Sequence, residues 1–239
     1  AFPSALEKIR FVRPRIYHEV DLVNIPHMGT WTEVPLDAAL GVVRTVICNH
    51  LQQFITPDVS AVVELGCGAG EILVSLARDN TRLSTRFIGS DIAPDALACV
   101  HTLAEIAGIH NVETQDLDLR APSFTFLNTP GNVLFYTSSV FAALDQGMLT
   151  GFLRAFARLP GARLFAFEPV AAQLTDRFPA HKPRFKLEGM RQVGLSEWVW
   201  PELREAEAAG LIKFERIIPD MVGIIASNCL SLLQFISAR

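Results

Sequence analysis

Residues 61–70 read AVVELGCGAG. A short apolar run reaches Glu64 and Leu65, and glycines then fall at alternate positions, Gly66, Gly68 and Gly70. Glycine costs backbone entropy, so such a cluster answers a demand for positive φ or for close approach by another group. The next ten residues, EILVSLARDN (71–80), place Ile72, Leu73, Leu76 and Ala77 at helical spacing. The stretch predicts a buried strand, a glycine turn and a helix. In that order the backbone comes close to a ligand, and the unpaired N–H groups of the first helical turn face it.

Outward from this unit the alternation continues. STRFIGSD (84–91) reads as a strand, and Pro94 opens a helix that Gly108 stops. NVETQD (111–116) and NVLFYTSS (132–139) are further strands. A helix over 146–159, a Pro160-Gly161 turn and the strand RLFAFEP (163–169) follow. Short strands that are apolar on both faces and separated by helices predict a parallel sheet covered on each side. The chain's last part breaks this rhythm, with a helix over 201–210 and then LIKFERII (211–218) and LSLLQFIS (230–237). Nothing helical of useful length separates those two strands, so an antiparallel edge hairpin is expected, with a loop after Pro219. Ahead of the sheet, residues 24–35 show no regular periodicity. A helix over 36–55 carries Leu40, Val43, Ile47, Leu51 and Phe54 on one side and is expected to pack over the sheet.

Composition narrows the classes. The 239 residues are 50% hydrophobic and 19% charged, which excludes a disordered chain and allows one full core with an appendage. A net charge of -4 argues against a generic binder of phosphate backbones. The basic run His181-Lys182-Pro183-Arg184-Phe185-Lys186 reads as a solvated loop, or else as a contact for an anionic ligand. Four scattered cysteines without CxxC spacing predict free thiols, with no disulfide framework or metal site. No apolar stretch has transmembrane length and the start lacks a signal-peptide pattern, so a soluble cytoplasmic protein is expected.

The ligand can be narrowed from the turn. The spacing is GxGxG rather than the dinucleotide pattern GxGxxG, and no Gly-Lys-Ser/Thr follows. Glu64 at the strand end would repel a pyrophosphate, but it would accept hydrogen bonds from an ammonium group. These residues favour a nucleoside with a cationic amino-acid tail. Asp91 lies one helix and one strand further on, which returns it to the same rim, where a carboxylate can hold both ribose hydroxyls. Its alternative use is as N-cap of the Pro94 helix.

ELGCGAGE resembles the first motif of the class I S-adenosylmethionine (SAM)-dependent methyltransferases. GSD, ending in Asp91, resembles the acidic end of their second strand. QDLDL, with Asp116 at the third strand's end, resembles their adenine-contacting segment, with Asp118 competing for that role. With the terminal hairpin the resemblance covers about residues 55–239. It implies SAM as cofactor and an α/β, Rossmann-like fold. The seven-stranded sheet would run in the order 3-2-1-4-5-7-6, with strand 7 antiparallel and an N-terminal helical cap. Residues 1–56 would then be the cap segment and its helix, and 57–239 the SAM-binding domain with a lid-like insertion at about 178–200. The cofactor set it implies is Glu64, Gly66, Cys67, Gly68, Asp91, Ile92, Asp116, Leu117, Thr137 and Ser138. Within it, Cys67 is a small space-filler and Leu117 packs on the adenine ring.

The sulfonium of SAM is already a good electrophile, so the protein's task is to align a nucleophile and exclude water. Where the acceptor is a hydroxyl or carbon acid, a base helps. Glu168 at the end of strand five is the base candidate, with a capping role or a salt bridge near Arg184 as its alternatives. Tyr136 at the rim of strand four is the second candidate, against a half-buried core role. Phe135-Tyr136-Thr137-Ser138-Ser139 matches neither the Asn/Asp-Pro-Pro-Tyr/Phe motif of amino-group methylators nor the Pro-Cys motif of cytosine C5 enzymes. Both mismatches point to a small-molecule acceptor rather than nucleic acid, with no membrane partner and with monomer or homodimer open. For the substrate side, His27, Met28 and Trp31 in the cap, Trp198 on the lid and Tyr17 near the N-terminus are the candidates, since aromatic and thioether groups suit a sulfonium pocket. Two alternatives to methyl transfer stay open: intramolecular cyclisation of SAM releasing methylthioadenosine, and a non-catalytic SAM-fold binding module.

Overall fold

A computed structural model describes residues 22–27, 30–127, 132–170, 174, 198–223 and 229–238. Its elements are β1 (Leu22–His27), β2 (Thr30–Pro35), α1 (Leu36–Gln52), β3 (Val59–Leu65), α2 (Glu71–Asp79), β4 (Arg86–Asp91), α3 (Pro94–Ala107), β5 (Val112–Asp116) and β6 (Asn132–Ser138). A 3-10 turn at Phe141–Ala143, α4 (Gln146–Phe156), β7 (Arg163–Glu168), α5 (Val199–Ala208), β8 (Ile212–Gly223) and β9 (Cys229–Ser237) follow. The main sheet has seven strands in the order β5-β4-β3-β6-β7-β9-β8. Counted within the sheet, this is the expected 3-2-1-4-5-7-6. Strands β3 to β7 pair in parallel, and β9 runs antiparallel to both β7 and β8.

Alternation along each strand builds two cores. Ala61, Val63 and Leu65 face Phe135, Phe152, Phe156, Leu203 and Phe235 beneath α4 and α5. Val62, Leu134, Phe165 and Phe167 face Ile47 and Leu51 of α1 and Leu73, Leu76 and Val100 of α2 and α3. β3, β4, β6 and β7 are therefore buried on both sides, as continuous apolar runs require. The caps agree with the chain's punctuation: Pro94 begins α3, and Gly108 ends it at φ 67. Asp145 caps α4 by accepting a hydrogen bond from the Met148 N–H. Among the described residues, no helix is long and apolar enough to cross a membrane.

Two expectations about the flanks need correction. Residues 24–35 do not form an irregular segment: β1 and β2 pair antiparallel from Leu22↔Pro35 to His27↔Thr30, so the cap is a hairpin followed by a helix. Cross-strand pairing satisfies backbone groups without a clear apolar alternation, which is why the pattern was silent. The strand after α5 also runs on past Pro219 to Gly223, instead of ending in a loop. A register shift between Ile218 and Val222 and a left-handed Asp220 (φ 46) absorb the proline within this edge strand.

Candidate functional site

The C-terminal ends of β3, β4, β5 and β6 meet at one rim, and the glycine turn sits there. All three of its glycines have positive φ (64, 52 and 73). A Cβ on Gly66 would meet Val140 Cγ2 at 2.6 Å, and one on Gly70 would meet Val100 Cγ2 at 2.5 Å. Around Gly68 nothing lies within 4 Å of that position. So Gly66 and Gly70 are required by the protein's own packing, while Gly68 has open space around its Cβ position. Gly70 also serves as the left-handed N-cap of α2.

Asp91 ties this turn to β4. Its Oδ2 accepts the Gly68 N–H at 3.1 Å and its Oδ1 accepts the Ala93 N–H at 2.9 Å. Each oxygen keeps a lone pair for a further donor, and the N-cap of α3 is Ala93 rather than Asp91. A cleft of about 330 Å³ opens beside it, lined by Gly66, Asp91, Ile92, Leu117, Asp118 and Val140 among others. Ile92 is 51% exposed at its mouth, an apolar surface that an aromatic ring could cover. Of the two acids in QDLDL, Asp118 lines the cleft, while Asp116 is exposed at the end of β5. Arg120 donates from Nε to both Asp118 oxygens at 2.8 and 2.9 Å, and this pair holds the Asp118 carboxyl below its usual range.

Glu64 lies behind the turn, only 5% exposed, with Oε2 lacking a hydrogen-bond partner. Its neighbours in register are Gly89 on β4 and Tyr136 on β6. Burial pushes the Glu64 carboxyl up to about 8, although the nearby Tyr136 hydroxyl favours ionisation. Tyr136 is fully buried, its hydroxyl also lacks a partner, and burial beside Glu64 drives its ionisation well above the ordinary range. A buried acceptor without a donor normally costs stability, so Glu64 Oε2 has acceptor capacity to spare, although neither Glu64 nor Tyr136 is among the residues that line the cleft. An ammonium group with three N–H donors fits that demand.

Glu168 is also fully buried. Its Oε1 accepts the N–H groups of Val140 and Phe141, each at 3.0 Å, and its Oε2 accepts that of Ala142 at 3.1 Å. Burial lifts its carboxyl to about 7 against the pull of those three donors. It does not line the cleft. The geometry is that of a cap on the chain leaving β6.

The remaining candidates divide as follows. Cys67 is buried, its N–H donates to the Ser90 carbonyl, and burial raises its thiol, as befits a space-filler. Thr137 is fully buried in β6, and Ser138 is half-buried at its end. Trp198 is 37% exposed just before α5 and is not part of the cleft lining. Tyr17 and Met28, most of the 178–200 segment, and the side chains of His27 and Trp31 lie outside the described residues. Sequence reasoning missed Val140, Leu144, Met148 and Arg120, which the cleft includes. They follow strand ends by two to ten residues without a motif, so only folding brings them to the rim.

Residues 62–174 match the family model of the methyltransferase domain. A search of curated proteins finds no significant match. Among solved structures, magnesium protoporphyrin IX methyltransferase from Synechocystis PCC 6803 with bound S-adenosylhomocysteine (SAH) is similar at 14% identity, with 84% of each chain covered and a TM-score of 0.55. A SAM-dependent methyltransferase from Aquifex aeolicus is similar at 15% identity over 85% of this chain and 99% of its own, with a TM-score of 0.53. A protein described for the conversion of a disulfide bond into a thioacetal group during echinomycin biosynthesis reaches 19% identity, 80% of each chain and a TM-score of 0.53. The fold is that of the class I SAM-dependent methyltransferases, with the methyltransferase-domain match lying over residues 62–174.

Proposed function

We propose that this protein binds SAM in the cleft beside the glycine turn and transfers its methyl group to a small-molecule acceptor. The observation that carries the reading is the buried Glu64, with an unpartnered oxygen, directly behind a turn whose central glycine leaves open space. Bound SAM supplies an activated methyl group on sulfur. Glu64 would accept hydrogen bonds from the amino-acid ammonium, and Asp91 would hold the ribose hydroxyls. Ile92, Leu117 and Val140 would enclose the adenine, with Asp118 at its edge and Gly66 and Gly68 giving backbone access. Cys67, Thr137 and Ser138 fill and support this rim. Walls that fix the cofactor and exclude water are the main contribution a protein makes to such a transfer. Neither Glu168, whose oxygens are engaged, nor the fully buried Tyr136 is placed to take a proton from an acceptor in the cleft. The acceptor side is assigned to the cap and the 178–200 segment, around His27, Met28, Trp31, Trp198 and Tyr17. The negative net charge and the lack of a nucleic-acid methylation motif support a small metabolite.

Calorimetric titration with SAM, SAH and NAD tests the cofactor. SAM and SAH should bind and NAD should not; the reverse would mean an oxidoreductase. Asp91→Ala should weaken SAM binding by about 1.5–3 kcal/mol, as for a hydrogen bond involving a charged group. At the adenine end, Asp118→Asn should weaken SAH binding several-fold while Asp116→Asn leaves it unchanged. Equal effects from both would return the role to the strand terminus. Incubating the protein with SAM and a metabolite extract, followed by mass spectrometry, tests the chemistry. SAH formed only when an acceptor is present supports methyl transfer, whereas methylthioadenosine formed with SAM alone would replace it with cyclisation.

A further inference from the structure

Glu168 ends β7, one strand away from the segment that it holds. Between β6 and the 3-10 turn the chain passes through Ser139, which has φ 60, a left-handed conformation that is uncommon for serine. The Ser139 N–H donates to the Phe167 carbonyl at 2.9 Å, and the next three N–H groups all point to the Glu168 carboxylate. The 3-10 turn has no side-chain cap of its own from Val140. The first residue so held, Val140, packs against Gly66 and lines the cleft beside the turn. A carboxylate that gathers three amides in a fully buried place fixes that backbone more firmly than any neutral side chain could.

We propose that Glu168 is a positioning residue for the cofactor, holding residues 140–142 so that Val140 forms the cleft wall packed beside Gly66. This rests on the reading of the cleft as a SAM site. Glu168 touches no reacting atom. It acts through Val140, and its loss should let the bent segment relax away from the glycine turn.

The test is SAH binding to the full chain, with SAH as probe and thermal unfolding followed in parallel. Glu168→Gln keeps the size but sets an amide N–H₂ against backbone donors. It should weaken SAH binding by about tenfold or more. Glu202→Gln is the control, because Glu202 is a buried acid that joins α4 to α5 through Gln146 and Thr150, and none of these three residues lines the cleft. It should lower the melting temperature and leave the SAH dissociation constant alone. Val140→Ala should weaken SAH binding on its own. In the double variant the two effects on binding should be less than additive, as expected when one residue acts through the other. Unchanged binding in folded Glu168→Gln, or full additivity with Val140→Ala, would overturn the proposal. If Glu168→Gln does not fold, an unchanged SAH affinity in Val140→Ala overturns it and a weakened one supports it. Failure of the wild-type chain to bind SAH would instead bring down the cofactor reading itself.

Discussion

Replacing Gly70 with alanine should lower folding stability by about 3 kcal/mol, the sum of a left-handed backbone penalty and an overpacked contact. The φ of 73 is unfavourable for any residue with a Cβ, and that Cβ would stand 2.5 Å from Val100 Cγ2. Valine in a helix has one strongly preferred rotamer, so it cannot swing aside, and the Val100 Cα stands only 3.4 Å away. Gly68→Ala separates folding from binding. It carries only the backbone penalty of about 1 kcal/mol, because nothing in the protein meets its Cβ. Its SAM affinity should nevertheless fall by a larger factor than that of a refolded Gly70→Ala, since the new methyl group would enter the space the ligand needs. Urea unfolding with and without SAH measures both quantities. A Gly68→Ala variant with wild-type SAH affinity would show that the ligand does not approach the turn there.

Glu64→Gln should nearly abolish SAM binding and make the unliganded protein less sensitive to pH. In the free protein burial raises the Glu64 carboxyl from 4.5 to about 8. A raised acid holds its proton longer in the folded state, so its stabilising contribution is complete below about 4.5 and is lost as pH rises through 8. Stability should fall over that window by at most about 1.4 kcal/mol per pH unit from this group. Glu168 adds a decline of the same sign up to about 7. Binding has the opposite dependence. Pairing with an ammonium requires the carboxylate, so SAM binding below pH 8 must expel a proton, and the dissociation constant should rise by up to tenfold per unit as pH falls from about 8 to 6. The charged and titratable groups around Glu64 are Tyr136 on β6, Cys48 on α1, Cys67 in the turn, Asp91 on β4 and Glu71 on α2. Burial lifts Cys48 to about 11 and carries Tyr136 and Cys67 upward too, so none of these three competes for the proton in that window. Titrations in buffers of different ionisation enthalpy would count the proton released. No proton release in the wild type would mean that Glu64 is already ionised or does not meet the ammonium.

The central sheet was legible because its signals are local. Apolar runs such as AVVEL and LFAF can only be buried strands at that length, and Gly108 and Pro94 stop and start a helix through their own backbone limits. Asp91 was found because one helix and one strand must return the chain to the rim it left. Asp116 and Asp118 show where such reasoning ends. Both stand in QDLDL, and their order along the chain does not say which one turns toward the cleft after the strand ends.

Glu168 shows the same limit in chemistry. From its sequence position, an acid after an apolar strand at the catalytic rim has the form of a base. Only the neighbouring strand, whose amides arrive from residues 140–142, makes it a cap. The cap hairpin and the continuation of β8 past Pro219 were likewise decided by pairing partners rather than by local propensity. The sequence by itself determined the strand–glycine turn–helix unit, the parallel sheet and the carboxylates around it, because backbone limits and apolar periodicity act within a few residues. The tertiary structure alone decided which of those carboxylates are left with unfilled lone pairs. Hydrogen-bond donors come from whichever segment packs alongside: amides 28 residues away reach Glu168, whereas Oε2 of Glu64 is left without one.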